Sequence, residues 1–232
     1  MPHTHQATRS GRAERQNVAV STGSTRWERL GGRSAYGPSL EREFLAGTDV
    51  IGEARFADAL ARPGSTILDA GSGMGRIGAA LRDRGHQCYG VDLDIDLLER
   101  SRRLFPHFPV APIRLDELTQ PALTEAGFPE QYDLVLCVGN VLVYLAEGSE
   151  RRVLERLCGV TAPAGRLVTG FELVATKPQA RDYPEAEFSA DAEASGWRVV
   201  HRFGTYNLDP FTEESDFLVA VCEPAQGHSR SR

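Results

Sequence analysis

Cysteine is scarce in this chain: Cys88, Cys137, Cys158 and Cys222 are scattered through 232 residues with no Cys-x-x-Cys pair. That excludes a disulfide-framed secreted module, and reads as small buried hydrophobes in a reducing compartment. Long apolar runs are missing too. The N-terminus lacks the apolar core of a secretory signal, and the longest near-apolar stretch, Leu134 to Ala146, is broken by Gly139-Asn140 and too short to span a bilayer. The expectation is a cytoplasmic protein with no membrane partner. His3, His5, His86, His107, His201 and His228 show no metal-ligand spacing beyond the terminal His3-x-His5. Asp92-x-Asp94-x-Asp96 fails as a calcium loop, because Leu97 and Arg103 stand where such a loop needs Gly and Glu. No metal is therefore expected. There is no Gly-x-Ser-x-Gly, His-Glu-x-x-His or P-loop, and no repeat of fixed period.

What remains is an ordinary globular composition, 41% hydrophobic and 25% charged, enough for one domain with a full core. The net charge of −6 argues against nucleic-acid binding by the chain as a whole. Its distribution is uneven. Residues 1–33 carry six arginines against Glu14 and Glu28, a net +4, which leaves −10 on the rest. With few apolar residues to offset ordering entropy, residues 1–33 read as a disordered basic arm, 34–223 as the domain and 224–232 as a disordered tail.

Within the domain, apolar runs of strand length alternate with helical periodicity. Thr48-Asp49 is placed to cap a helix carrying Ile51, Ala54, Phe56 and Leu60, stopped by Pro63-Gly64. Strands are expected at 65–70, 88–91, 110–115, 132–138, 166–174, 197–203 and 217–222. Helices are expected at 76–84, after an Asp94 or Asp96 cap, at 150–160 with Pro163 and Gly165 closing it, and at 185–195. This alternation predicts an α/β fold: one doubly wound, mostly parallel seven-stranded sheet with helices on both faces, its last strand antiparallel. Ligands in such sheets sit beyond the C-terminal strand ends, near the switch point.

That rule points to Ile67-Leu68-Asp69-Ala70-Gly71-Ser72-Gly73-Met74-Gly75-Arg76-Ile77-Gly78. Glycines let the chain turn sharply off the strand and a ligand approach the backbone, while the following helix presents unsatisfied N–H groups. Gly73-x-Gly75-x-x-Gly78 matches the dinucleotide fingerprint by letter, with Asp92 and Asp94 downstream. Two details argue otherwise. Asp69 ends the strand where its charge would face a pyrophosphate but welcome a cation, and the turn falls one glycine pair earlier, at Gly71-Ser72-Gly73.

These residues resemble the first motif of the class I S-adenosylmethionine-dependent methyltransferases, with Met74 where Thr is commoner. Gly90-Val91-Asp92-Leu93-Asp94 resembles the second motif, Asp116-Glu117-Leu118 the acidic position near the adenine amine, and Tyr132 to Asn140 the fourth-strand motif. Pro163-Ala164-Gly165-Arg166-Leu167 resembles the entry to strand five, and the likeness runs in order from about Asp49 to Glu223. The resemblance implies S-adenosyl-L-methionine as cofactor, held by Asp69, Gly71, Ser72, Gly73, Gly75, Arg76, Asp92, Leu93, Asp116, Glu117, Val138, Gly139 and Asn140. The segment Gly52-Glu53-Ala54-Arg55-Phe56 is similar to the leader helix of a small, mostly uncharacterised subgroup, which implies Arg55 at the cofactor carboxylate, against the plainer reading of a surface arginine.

Direct methyl transfer needs alignment more than a strong acid or base, so the catalytic candidates Asn140, Tyr144 and Glu172 rest on position alone. Tyr183 and Tyr206 are further candidates in the insertions, with loop or packing roles as the plainer reading. The insertions at 176–187 and 205–216 are short and suit a modest lid, hence a small-molecule acceptor. Three alternatives stand beside that reading: a non-catalytic S-adenosylmethionine-binding protein, an NAD(P)-binding Rossmann protein, and a nucleic-acid modifier guided by the arm.

Overall fold

The computed structural model describes residues 23–31 and 36–225. Seven strands, β1 (Thr66–Ala70), β2 (Gln87–Asp92), β3 (Val110–Pro112), β4 (Tyr132–Cys137), β5 (Thr161–Glu172), β6 (Trp197–Phe203) and β7 (Phe217–Pro224), form one sheet in the order β3-β2-β1-β4-β5-β7-β6. The first five are parallel; β7 lies antiparallel between β5 and β6. The order reverses between β1 and β4, which opens the switch-point crevice at their C-terminal ends.

Alternation along the central strands explains why both sheet faces are covered. Ile67, Leu134, Leu136 and Val168 turn to one cluster, with Ala54, Phe56, Ile77 and Leu81 of helices α3 (Gly52–Leu60) and α4 (Arg76–Asp83). Leu68, Val135, Cys137 and Leu167 turn to the other, with Val153, Leu154 and Leu157 of α7 (Glu150–Val160) and Phe188 of α8 (Glu185–Ala194). A parallel strand buried on both faces must be apolar throughout, which is why the strands read as continuous runs. The edge strand β6 alternates instead: Trp197 is buried, while Arg198, His201 and Arg202 are exposed.

Several local expectations differ from the structure. Thr48-Asp49 does not cap α3; Ile51 occupies the N-cap without a side-chain bond, and Asp49 instead accepts from the Ile51 amide and Arg55. Strand β3 is only three residues long, because a 3-10 turn at Leu115–Glu117 takes over. Pro163 and Gly165 do not follow α7 as a loop. The helix passes straight into β5, and pairing with β4 slips between Tyr132↔Thr161 and Leu134↔Arg166 to absorb them. Asp94, rather than Asp96, caps α5 (Ile95–Leu104), accepting from the Leu97 amide at 3.1 Å. Pro224 is the last residue of β7 and the Ala225 amide donates to the Gly196 carbonyl, so neither opens a tail; 226–232 lie outside the described residues.

The largest departure is near the N-terminus. Residues 1–22 and 32–35 lie outside the described residues, but α1 (Arg26–Arg29) within the expected arm is a capped helical turn. Thr25 and Glu28 form a capping box, with the Glu28 amide on Thr25 Oγ1 at 3.0 Å and the Thr25 amide on Glu28 Oε2 at 2.7 Å. Its one large apolar side chain, Trp27, packs edge-on against Tyr36 and Tyr144. Composition misses such a segment because its order comes from distant partners.

Gly78 illustrates how tightly α4 sits against Phe108. A Cβ there would lie 2.1 Å from Phe108 Cζ. Gly78→Ala is expected to lower stability by about 1–3 kcal/mol despite alanine's better helix propensity, as read from urea unfolding at constant m-value.

Candidate functional site

A cavity of about 490 Å³ opens at the switch point, within the range of about 300–1,000 Å³ that suits a small ligand. Its floor is the turn after β1. Gly71 and Gly75 adopt φ of +86° and +84°, and a Cβ at either would strike Val141 or Ser101 within 2.5 Å, so both the turn and its packing demand glycine. The Gly71 and Ser72 amides donate to the Val91 carbonyl at 2.8 and 3.0 Å, which pins the turn to the end of β2.

Two carboxylates hold this turn from opposite sides, Asp69 buried beneath it and Asp92 half-buried in the cavity wall. Asp92 Oδ2 accepts from the Gly73 amide and Oδ1 from the Asp94 amide, both at 2.8 Å. Asp69 Oδ2 accepts from the Gly78 amide at 3.1 Å, capping α4 from beneath because the N-cap residue Gly75 has no side chain to do so. Burial pushes the Asp69 carboxyl up to about 7, against the pull of Arg76 and the Gly78 amide. Burial likewise raises Asp92 to about 6, against its two amide bonds.

Most of the residues expected to hold a cofactor meet at this cavity: Gly71, Ser72, Gly73 and Arg76 from the first turn, Asp92 and Leu93 from the second, Asp116, and Val138, Gly139 and Asn140 after β4. Asp69 and Gly75 do not line it; they shape the turn from below. Glu117 points to solvent one residue past Asp116. Arg55 is away from the cavity on the outer side of α3, paired with exposed Asp49 at 2.8 Å, so the plainer surface reading describes it. Arg76 and Arg114 are the arginines in the cavity lining, and Arg76 is the one beside the glycine turn. It grips Glu53 through both guanidinium nitrogens, at 2.8 and 2.5 Å, and also donates to the Val50 carbonyl.

Asp116 is 4% exposed and is met by Arg114 through Nε and a terminal nitrogen at 3.3 and 3.2 Å. Arg114 also holds Glu28 of α1 at 3.0 Å. The Trp27 indole N–H donates to Asp94 Oδ2 at 2.8 Å, and the Arg26 amide and guanidinium donate to the Leu145 carbonyl at 3.2 and 2.9 Å. Residues 23–31 thus cross from the β2 turn to the 3-10 turn Val141–Tyr144 and place Thr25 and Trp27 in the cavity wall. Buried Glu150 ties this strap to the β5–α8 loop, receiving Arg26 at 3.3 Å and Arg181 at 2.7 Å. That loop brings Lys177 and Pro178 to the cavity.

Of the catalytic candidates, Asn140 and Tyr144 line the cavity and Glu172 does not. Asn140 has φ +71°, and its Oδ1 accepts from the Glu172 amide at 2.8 Å, so its carbonyl oxygen is committed to joining β4 and β5. Glu172 binds Thr176 and Lys177, which hold its carboxyl below the usual range against burial. Tyr183 is a core residue, bonded to Asp191 at 2.9 Å and stacked on Phe171. Tyr206 is packed between Phe56 and Phe217, where burial raises its pKa beyond use as a base. Among the described residues no His, Cys, Asp and Glu cluster is arranged to hold a metal ion, and no helix is long and apolar enough to cross a membrane. Sequence reasoning missed Trp27 and Tyr36, the aromatic roof; only their spacing within an Arg-rich stretch was available as a signal.

Comparison with known proteins agrees with this geometry. Residues 67–165 match the family model described as a methyltransferase domain. The structure is similar to a TehB-like SAM-dependent methyltransferase from Corynebacterium glutamicum, with 32% identity over 82% of this chain and 96% of that one, TM-score 0.71. It also resembles the CcbJ methyltransferase from Streptomyces caelestis, with 18% identity over 75% of this chain and 88% of that one, TM-score 0.65. The glycopeptide N-methyltransferase MtfA, solved with (S)-adenosyl-L-methionine, matches at 11% identity over 75% of this chain and 93% of that one, TM-score 0.58. The last two likenesses concern the fold. No curated protein matches the sequence.

The raised pKa values have a consequence for stability. A carboxyl that titrates near 7 folded and 3.8 unfolded binds protons more tightly in the native state, so its contribution is fully present at low pH and is lost as pH rises through the folded value. The melting temperature of the ligand-free protein, taken relative to Asp69→Asn, should therefore fall between pH 3.8 and about 7 and level off above. A difference that rises over that window would contradict the burial argument.

Proposed function

The chain belongs to the class I S-adenosylmethionine-dependent methyltransferases, and from that premise we propose that it methylates a small molecule held in the strap-covered cavity. The carrying observation is the cavity itself. At about 490 Å³ it is roofed by residues 23–31 and closed on one side by the β5–α8 loop, an enclosure that suits a small acceptor rather than a polymer.

The residues fit the cofactor by their chemistry. S-adenosylmethionine supplies a methyl carbon made electrophilic by the sulfonium to which it is bonded. We assign the ribose hydroxyls to Asp92, whose two oxygens are held in place by the Gly73 and Asp94 amides. Asp116, fixed by Arg114, takes the adenine amine, and Leu93 packs beside the base. The Gly71–Gly73 backbone and the Val138–Asn140 backbone line the methionine end, with Arg76 in place of Arg55 as the cation facing a carboxylate. Glu53 holds that guanidinium in position, and bidentate carboxylate recognition is the geometry arginine favours. Asp69 supports the turn from below and adds negative potential under a cationic ligand.

Asp92→Ala is expected to weaken S-adenosylhomocysteine binding by at least about 10-fold in calorimetry, the loss of hydrogen bonds to a charged group. Arg55→Ala should leave binding unchanged and Arg76→Ala should weaken it; equal effects would sink the exchange of the two arginines. For the acceptor, labelled S-adenosylmethionine and the purified protein are incubated with cell extract. Label in a dialysable product other than S-adenosylmethionine, formed only when the purified protein is added, supports the proposal, and protein-dependent label found only in protein or nucleic acid overturns it.

A further inference from the structure

The half of the cavity away from the glycine turn is built differently from the cofactor half. Its roof is aromatic: Trp27 meets Tyr36 and Tyr144 edge-on, with centroids 5.7 and 5.6 Å apart. Apolar walls from Leu40, Leu145 and Pro178 complete it. The polar side chains there are already engaged. Thr25 serves the capping box, Ser149 donates to the Ala146 carbonyl, and Arg114 holds Asp116 and Glu28. Tyr144 is the exception, since its hydroxyl makes no hydrogen bond with any described residue. Lys177, the only lysine in the chain, stands at the same end, 3.4 Å from Glu172.

Among the described residues, no histidine and no unengaged carboxylate stands at that end of the cavity. Asp92 and Asp116, the carboxylates in the wall, are bound to backbone amides and to Arg114. Glu172, the nearest carboxylate to Tyr144, lies outside the wall and is tied to Thr176 and Lys177. The described histidines stand elsewhere: His86 on Asp58, His107 on Asp83 and His201 on β6. The groups facing Tyr144 are Glu172 from β5, Tyr36 from α2 (Tyr36–Leu45) and the uncharged ring of Trp27 from α1. Burial first, then Glu172 and Tyr36, raise its pKa, so the phenol keeps its proton and acts as a donor.

Resting on the small-molecule reading above, we propose that the acceptor is an aromatic molecule whose acidic phenol or thiol arrives already ionised, its anionic atom received by the Tyr144 hydroxyl. The ring lies under the Trp27 roof and Lys177 adds a positive charge at the cavity's edge. The anionic oxygen or sulfur gives its electron pair to the methyl carbon. The carbon–sulfur bond of the sulfonium breaks with its pair going to sulfur, and the opposite charges cancel into an ether or thioether plus S-adenosylhomocysteine. No proton is left to be removed, so the acceptor end of the cavity needs no base of its own. A protonated amine would instead meet Lys177 and a hydrogen-bond donor, and would still need deprotonation.

The test follows S-adenosylhomocysteine release with 4-nitrothiophenol, 4-nitrophenol, 2-naphthol and 2-naphthylamine across a range of pH. The expected result is that kcat/KM rises with the ionised fraction of each acidic probe, so the midpoint moves with the probe's own acidity. Tyr144→Phe should lower kcat/KM for the ionised probes by about 10-fold or more while S-adenosylhomocysteine affinity stays at the wild-type value. A midpoint common to all acidic probes reveals an enzyme base and overturns the proposal. So does faster methylation of the naphthylamine, or no turnover of any ionised probe. In all three cases the small-molecule reading stands or falls separately, on whether dialysable material from cell extract takes the label.

Discussion

The turn between β1 and α4 is held by two carboxylates, one buried and one half-buried in the cavity wall, and the rest of the site depends on them. Asp92 grips the Gly73 amide from the side of β2, and Asp69 grips the Gly78 amide from below. Both are charged groups taken out of water, a cost met only because each accepts backbone N–H bonds that have no other partner at a helix start. The rise in both carboxyl pKa values measures what burial still leaves uncompensated. A cationic ligand in the cavity would favour the charged form of both carboxylates, which links this turn to the charge of the cofactor the family uses.

From that turn outward the structure is a series of attachments to the same cavity. The β2 turn contributes Asp92 to the wall and Asp94 to the Trp27 indole, so two residues join cofactor half and roof. Arg114 repeats the arrangement on the far side, with Asp116 in the wall and Glu28 in the strap. Buried Glu150 then couples the strap to the β5–α8 loop through Arg26 and Arg181. Buried pairs of this kind add little net stability but penalise alternatives that separate the partners. Here they specify where two irregular segments lie over one cavity.

What the sequence disclosed follows from how local each signal is. Strands buried on both faces are apolar runs, so β1, β4 and β7 were visible, and Asp69 to Gly75 marks its turn by composition alone. Asp116 was legible by its place after β3. Arg55 and Arg76 show the limit: both are arginines near helix starts, and only the fold reveals that one turns to Asp49 and solvent while the other lines the cavity and is held by Glu53. Trp27 was hidden for a related reason. Its partners Asp94 and Tyr144 are far away in sequence, and its Arg-rich neighbours make the segment look solvated. Gly78 read as part of a ligand fingerprint, whereas the structure sets it under Phe108 as a packing requirement.

The central claim is that one cavity holds the cofactor and that the strap closes over it. Amide hydrogen exchange with and without S-adenosylhomocysteine tests it most directly. The account predicts slowed exchange at 71–75, 92–94, 115–116 and 138–140, together with residues 23–31, because Arg114 and Asp94 connect the wall to the strap. Protection confined to other surfaces, or a strap whose exchange is indifferent to the ligand, would contradict it.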